Sequence, residues 1–230
     1  MNKLPEEIFN QVKDFVIFKP KTKNELQEMV SFYCENKEEC IKQCGVINNW
    51  DVSNITDMSY LFSDSYTRNF NDPLNNWNVS NVTNMRFMFR GALFFDQPLN
   101  NWDTSKVTDM SFMFHSTRNF NQSLNNWNTS SVIDMSEMFG YTTKFNKPLN
   151  NWNTSKVITM HGMFYGAEKF NQPLNKWNTS QVTDMSCMFH SAILFNQPLN
   201  NWNISHIEYM DCIFKKAKNF DIKINAKWYC

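Results

Sequence analysis

Counted from each tryptophan of the series Trp50, Trp77, Trp102, Trp127, Trp152, Trp177 and Trp202, apolar residues return to the same columns of the chain. Column 5 is Val or Ile, column 8 is Met in every copy and column 12 is Phe in every copy. A second Phe and then Leu or Ile precede the next tryptophan, and between the apolar columns stand Asn, Ser, Thr and Asp. The first interval is 27 residues, with its extra length in the segment SDSYTRNF, and every later one is 25. Trp228 follows after 26 and starts an eighth copy. A fixed period in the twenties predicts stacked coils, each a unit that cannot bury its apolar face alone.

The columns predict two elements per coil. The spacing L-x-x-W-x-V/T-x-x-V follows the leucine-rich-repeat rhythm and puts a short strand on NWNTS. Met at 8, Met at 11, Phe at 12 and a frequent Ala at 15 follow i, i+3, i+4, i+7, which is one face of a short helix. Column 7 (Asp57, Asn84, Asp109, Asp134, Thr159, Asp184) holds residues able to accept a backbone N–H, as an N-cap must, although Tyr209 departs from it. The expected fold is an α/β solenoid: a leucine-rich-repeat-like right-handed superhelix of seven coils, each a short parallel strand plus a short helix. At about 4.8 Å per coil the stack spans roughly 34 Å. Asn48, Asn75, Asn100, Asn125, Asn150, Asn175 and Asn200, two residues before each Trp, are expected to form a ladder that satisfies turn groups coil after coil. The invariant Ser of column 3 is expected to be buried at the strand end.

Three regions follow: residues 1–47 as a helical N-terminal cap, 48–224 as the repeats, and 225–230 as the C-terminal end. Pro5 starts a helix through EEIFNQVKDFV. Thr22 with Glu25 makes a capping-box signature before LQEMVSFYC, and KEECIKQC stops at Gly45. A first coil exposes a raw apolar end, so a stack of this kind needs such a cap.

Lys plus Arg number 22 and Asp plus Glu number 22, so there is no basic excess to suit nucleic acid or an anionic membrane. The start has no apolar run behind a basic end, and no stretch reaches the roughly 18 apolar residues of a membrane span. The expectation is a cytoplasmic protein, in a host cell or a virion if the chain is viral. The six cysteines match no zinc spacing and are expected as reduced thiols. No cofactor is implied.

Candidate chemistry is sparse. Column 7 could be read as paired carboxylates or calcium ligands, but Asn, Thr and Tyr share the column, which suits caps. His115, His161, His190 and His206 fall in three columns and are expected at surface polar positions, not converging as a metal or triad set would. Asn78, Asn128, Asn153, Asn178 and Asn203 stand in sequons, but Asp51 and Asp103 share their column, so a polar turn group is what the column needs. Column 4 is polar and variable and is expected to face solvent. Column 10 varies most: Tyr60, Phe87, Phe112, Glu137, Gly162, Cys187, Cys212. Stacked, it gives one surface stripe with an aromatic N-terminal half, which is how a binding patch looks. Cys187 and Cys212 would sit in adjacent coils, close enough for a disulfide but expected as two thiols.

The stretch LNNWNVSNVTNMRFMFRGALFFDQPLN resembles the repeats of the BspA-like leucine-rich repeat surface proteins of mycoplasmas, other bacteria, some protists and giant DNA viruses. The segment before the repeats resembles the leader of giant-virus members, and LPEEIFNQVKDFV is similar to the opening of an F-box. The resemblance implies a non-enzymatic protein–protein interaction scaffold, used in surface attachment or virus–host contact. The alternatives are an F-box-like adaptor recruiting a host ubiquitin ligase and a virion structural component. Asn125→Leu is expected to cost about 1–3 kcal/mol through unpaired turn groups; an unchanged melting temperature would remove the ladder's role.

Overall fold

The computed structural model describes residues 17–229, so the helix expected from Pro5 and the F-box-like stretch at 4–16 lie outside the described residues. The cap follows its local signals. Helix α1 spans Lys23–Glu35, with the Thr22 hydroxyl accepting the Glu25 N–H at 3.2 Å. The Glu25 carboxylate returns one residue further than a standard capping box, to the Lys21 N–H at 2.7 Å. Helix α2 spans Lys37–Cys44 and ends on Gly45 at φ 72°, a left-handed stop that glycine adopts freely. Leu26, Val30, Tyr33 and Cys40 are buried. Phe18 and Tyr33 set their rings edge-on to Trp50 at 4.8 and 5.7 Å, which closes the apolar end of the first coil.

The repeats do not form the α/β array that their spacing suggests. Among the described residues there is no strand and no sheet. NWNTS is a link without regular structure between two turns, closed by the Trp127 N–H on the Leu124 carbonyl and the Val132 N–H on the Thr129 carbonyl, and beyond the cap the helical content is two single 3₁₀ turns, Ile47–Asn49 and Ser65–Thr67, and α3 at Ile222–Asn225. Columns 8–15 are a run of overlapping four-residue turns. The N–H of column 11 bonds to the carbonyl of column 8, column 13 to column 10, and column 15 to column 12, as in Met113 to Met110, His115 to Phe112 and Thr117 to Phe114. Positive φ recurs at column 10 in all seven coils and at column 14 from the second coil on. These are the third residues of the turns 8–11 and 12–15, where a type II turn requires a left-handed residue. Two such residues four apart break a helix.

The backbone groups left over by the turns point along the stack. N–H groups of columns 8, 10, 12 and 14 donate to carbonyls of columns 7, 9, 11 and 13 in the next coil, at 2.6–3.1 Å. Column 6 donates back to column 6 of the coil before, as Thr108 does to Thr83. Odd amides are thus used inside a coil and even amides between coils, which accounts for the buried main chain without a strand. Parallel bridges register only at column 7, from Asp57–Asn84 through Asp184–Tyr209.

The apolar columns fill the interior as the pattern predicts. Trp, Val, both Met columns and both Phe columns are almost fully buried, except in the last coil, where Ile207 and Met210 are partly exposed. Column-12 rings stack from Phe62 to Phe214 at 5.2–5.9 Å, and each stacks on the second Phe of its own coil. Each indole from Trp77 to Trp202 donates to the main-chain carbonyl three residues before the preceding Trp, at 2.7–3.0 Å. The i, i+3, i+4, i+7 spacing mimics a helix because a closed turn brings its first and fourth residues together, and 8, 11, 12 and 15 are the ends of two such turns.

Polar columns serve the turns. Column 1 Asn or Asp accepts the N–H of the column-3 Ser at 3.0–3.1 Å, an Asx turn in every coil. These serines are partly exposed, so the burial expected of them does not occur. Column 7 caps, but it caps a turn: Asp109 accepts the Ser111 N–H at 2.8 Å. The asparagine ladder is a relay to backbone, with Asn125 Oδ1 accepting the Asn151 N–H at 3.1 Å. Asn48, Asn75 and Asn200 do the same, whereas Asn100 and Asn150 donate to the side chains of Asn101 and Asn151, and Asn175 makes no such bond, so the expected ladder is broken at these three. A more regular ladder lies in FNQP and escapes the spacing argument. Asn71, Asp96, Asn121, Asn146, Asn171 and Asn196 each accept the N–H of their counterpart in the next coil at 2.8–3.0 Å. Gln172 adds its side-chain amide to Asn146 at 2.9 Å.

Asn146 thus serves two donors and Asn125 one. Asn146→Leu is expected to cost about 1–3 kcal/mol; Asn125→Leu, with one donor and water access, falls to the low end of the range its column suggests, about 1 kcal/mol. Thermal melts of the two variants side by side check the order; an equal or reversed ranking contradicts the relay.

Candidate functional site

Column 10 forms a single stripe on the outer side of the turn run. Its residues Tyr60, Phe87, Phe112, Glu137, Gly162, Cys187 and Cys212 have φ between 48° and 64°. For a residue with a Cβ this costs about 1–2 kcal/mol. The cost is offset by the coil-to-coil bonds of the same amides and by contacts between the side chains. Tyr60 stacks on Phe87 at 4.7 Å and Phe87 on Phe112 at 4.5 Å. Arg86 lies over Phe87 at 4.7 Å and over Phe112 at 5.6 Å, and Arg90 lies over Phe87 at 5.5 Å. Ring faces in the middle of this ladder are therefore occupied, and what solvent meets is ring edges and guanidinium groups. Tyr60 is 44% exposed, while Phe87 and Phe112 are half-buried.

The centre of the stripe is polar. Glu137 extends across Gly162 in the next coil, where an added Cβ would stand 2.8 Å from Glu137 Cγ. His115 Nδ1 is 2.9 Å from Glu137 Oε2, although it is not aligned for a hydrogen bond and has no other partner. His161 Nε2 approaches Glu137 Oε1 at 3.9 Å, and its Nδ1 lies 2.7 Å from the Ser186 hydroxyl and 3.9 Å from Asp184. Two of the four histidines therefore approach one carboxylate, without making a metal-holding group. Stacking brings columns 9, 10 and 13 of neighbouring coils side by side, a closeness that column membership alone does not reveal.

Columns 13 and 14 carry a second aromatic group. Tyr141 and Tyr165 lie 5.0 Å apart, and Tyr165 stacks parallel to His190 at 4.6 Å. The neighbouring Tyr165 phenol, with burial behind it, raises the Tyr141 phenol above its ordinary value. Burial, helped by Lys216 and Lys215, lowers His190, which favours the neutral ring stacked on Tyr165. At the C-terminal end Cys187 and Cys212 are both free thiols, and burial and then Cys212 raise Cys187. Arg86, Arg90, Tyr141 and Tyr165 belong to the same surface and were missed from sequence; the signal available was that columns 9, 13 and 14 vary as column 10 does. His206 stays apart in the solvent-facing column 4.

No three His, Cys, Asp or Glu side chains among the described residues are arranged to hold a metal, and no described helix is long and apolar enough to cross a membrane. A family described as "Mycoplasma protein of unknown function, DUF285" matches residues 24–152 and again 134–229. The chain belongs to that family, and this supports the BspA-like resemblance of its repeats. No curated protein and no solved structure matches the chain.

The seating of Glu137 on Gly162 gives a direct check. Gly91, at φ 74°, has open space where a Cβ would go, so Gly91→Ala carries only the backbone cost of about 1–2 kcal/mol. Gly162→Ala adds a clash with Glu137 and is expected to cost about 1–3 kcal/mol more. Denaturant midpoints of the two variants measure the difference, and no difference would place Glu137 elsewhere.

Proposed function

We propose that the protein is a non-enzymatic protein–protein interaction scaffold that meets its partner along the column-10 stripe. The carrying observation is the ladder of Tyr60, Phe87 and Phe112 with Arg86 and Arg90 laid over it. Left-handed turn positions suit glycine, as Gly162 in the same column illustrates, yet here they hold aromatic rings. Tyr and Arg are the residue types that dominate binding hot spots, and a rigid backbone lets a partner bind without an ordering cost. Ring edges and guanidinium groups together are electropositive, which suits a partner surface rich in carbonyl or carboxylate oxygen with an apolar centre. The even charge balance of the chain gives a nucleic-acid partner no general attraction.

Column 10 also stabilises the stack, so replacing its rings tests two things at once. Phe87→Ser with Phe112→Ser should lose partner capture and lower the melting temperature as well. Arg86→Glu with Arg90→Glu reverses the surface charge while leaving the rings in place. Affinity capture of the full chain from extracts of the cells in which it is naturally made should recover proteins that the arginine variant loses, at a melting temperature within a few degrees of wild type. An identical set of captured proteins would reject the stripe. A Skp1-type protein retained by both forms would favour the ubiquitin-ligase adaptor instead.

A further inference from the structure

The cap contains a cluster of sulfur atoms unconnected with the stripe. Cys40 and Cys44 stand four residues apart on α2, which puts both on the face turned to α1. Met29 of α1 reaches between them: its Sδ lies 3.6 Å from Cys40 Sγ and 3.8 Å from Cys44 Sγ. The Met29 sulfur thus bridges two thiols between two helices, with Cys40 fully buried and Cys44 and Met29 partly open to solvent. Both cysteines are free thiols.

We propose that Met29, Cys40 and Cys44 form a binding site for a soft monovalent metal ion, Cu(I) or its analogue Ag(I). Metal–sulfur bonds of about 2.3 Å in a trigonal plane separate the sulfurs by about 4.0 Å. The two separations from Met29 need to open by only a few tenths of an ångström to match that spacing. Ligand type sets the selectivity. Thiolate and thioether together are a soft pair that suits Cu(I), whereas zinc sites are built from thiolate, imidazole and carboxylate and do not use a thioether. Binding replaces the thiol protons, so protons are released as the metal enters. It also ties α1 to α2 across the helix pair that seals the first coil, which stabilises the cap by mass action.

The test is an anaerobic titration of the reduced full chain with Cu(I) supplied from a competing chelator. Four proteins are compared: wild type, Cys40→Ser/Cys44→Ser, Met29→Leu and Cys187→Ser/Cys212→Ser, the last because its thiols are the other adjacent pair. One equivalent of Cu(I) should be taken up by wild type and kept by Cys187→Ser/Cys212→Ser. It should be lost from Cys40→Ser/Cys44→Ser. Met29→Leu conserves volume and helix propensity, so it should keep its far-ultraviolet spectrum while binding at least tenfold more weakly, and Zn(II) should not displace the ion. Equal uptake by the Cys40→Ser/Cys44→Ser form, no uptake by wild type, or undiminished affinity in Met29→Leu would each overturn the assignment.

Discussion

The fold depends on amide groups that point along the stack. In columns 8, 10, 12 and 14 each N–H finds a carbonyl of the next coil, and the left-handed residues at columns 10 and 14 aim them there. Hydrogen bonds of this sort contribute about 0.5–1.5 kcal/mol each, and several of them act on every interface between coils. They have one direction: donors face the C-terminal neighbour, and acceptors face the N-terminal one. The two ends of the stack therefore differ chemically. The acceptor end is met by α1, whose Lys23 ammonium reaches the Asp57 carboxylate at 3.1 Å and also the Ser59 hydroxyl. The donor end is the turn run of the last coil, where Met210, Cys212, Phe214 and Lys216 have no N–H acceptor among the described residues.

The same constraint creates the surface. A left-handed residue in a type II turn sends its side chain out on the opposite side from the buried Met and Phe of its neighbours, so column 10 becomes a stripe because column 8 and column 12 are core. Identical geometry in successive coils then stacks the stripe residues at the coil spacing, whether they are rings, a carboxylate on a glycine, or two thiols. Architecture settles where these side chains stand and leaves their identity free. That freedom separates the stripe from Met110 or Phe114, whose columns never change.

Much of this was legible in the chain. The tryptophan period gave the coil and the invariant columns gave its core. Thr22, Glu25 and Gly45 marked the ends of the two cap helices with their own local chemistry. What failed was the choice of backbone for columns 8–15. A spacing of 8, 11, 12 and 15 is shared by one face of a helix and by the ends of two consecutive turns, and only the φ values of columns 10 and 14 separate the two readings. Tyr60, Phe87, Phe112, Glu137 and Tyr141 give no hint of positive φ, because residues of these types avoid it. The leucine-rich rhythm misled for a similar reason: it requires apolar residues to return at fixed intervals, and NWNTS meets that while its main chain only links two turns and bridges to no neighbouring coil. The approach of His115 and His161 to Glu137 needed the register of adjacent coils, which the turns set and no single column encodes.

Amide hydrogen exchange, read residue by residue, tests the coil-to-coil ladder most directly. The ladder predicts strong protection at even columns of the interior coils, such as Met110, Phe112, Phe114 and Ser116. It predicts rapid exchange at the same columns of the last coil, at Met210, Cys212 and Lys216. Equal protection in the last coil, or fast exchange at Phe112 and Ser116 while their odd neighbours Met113 and His115 stay protected as in an isolated turn or helix, would contradict it.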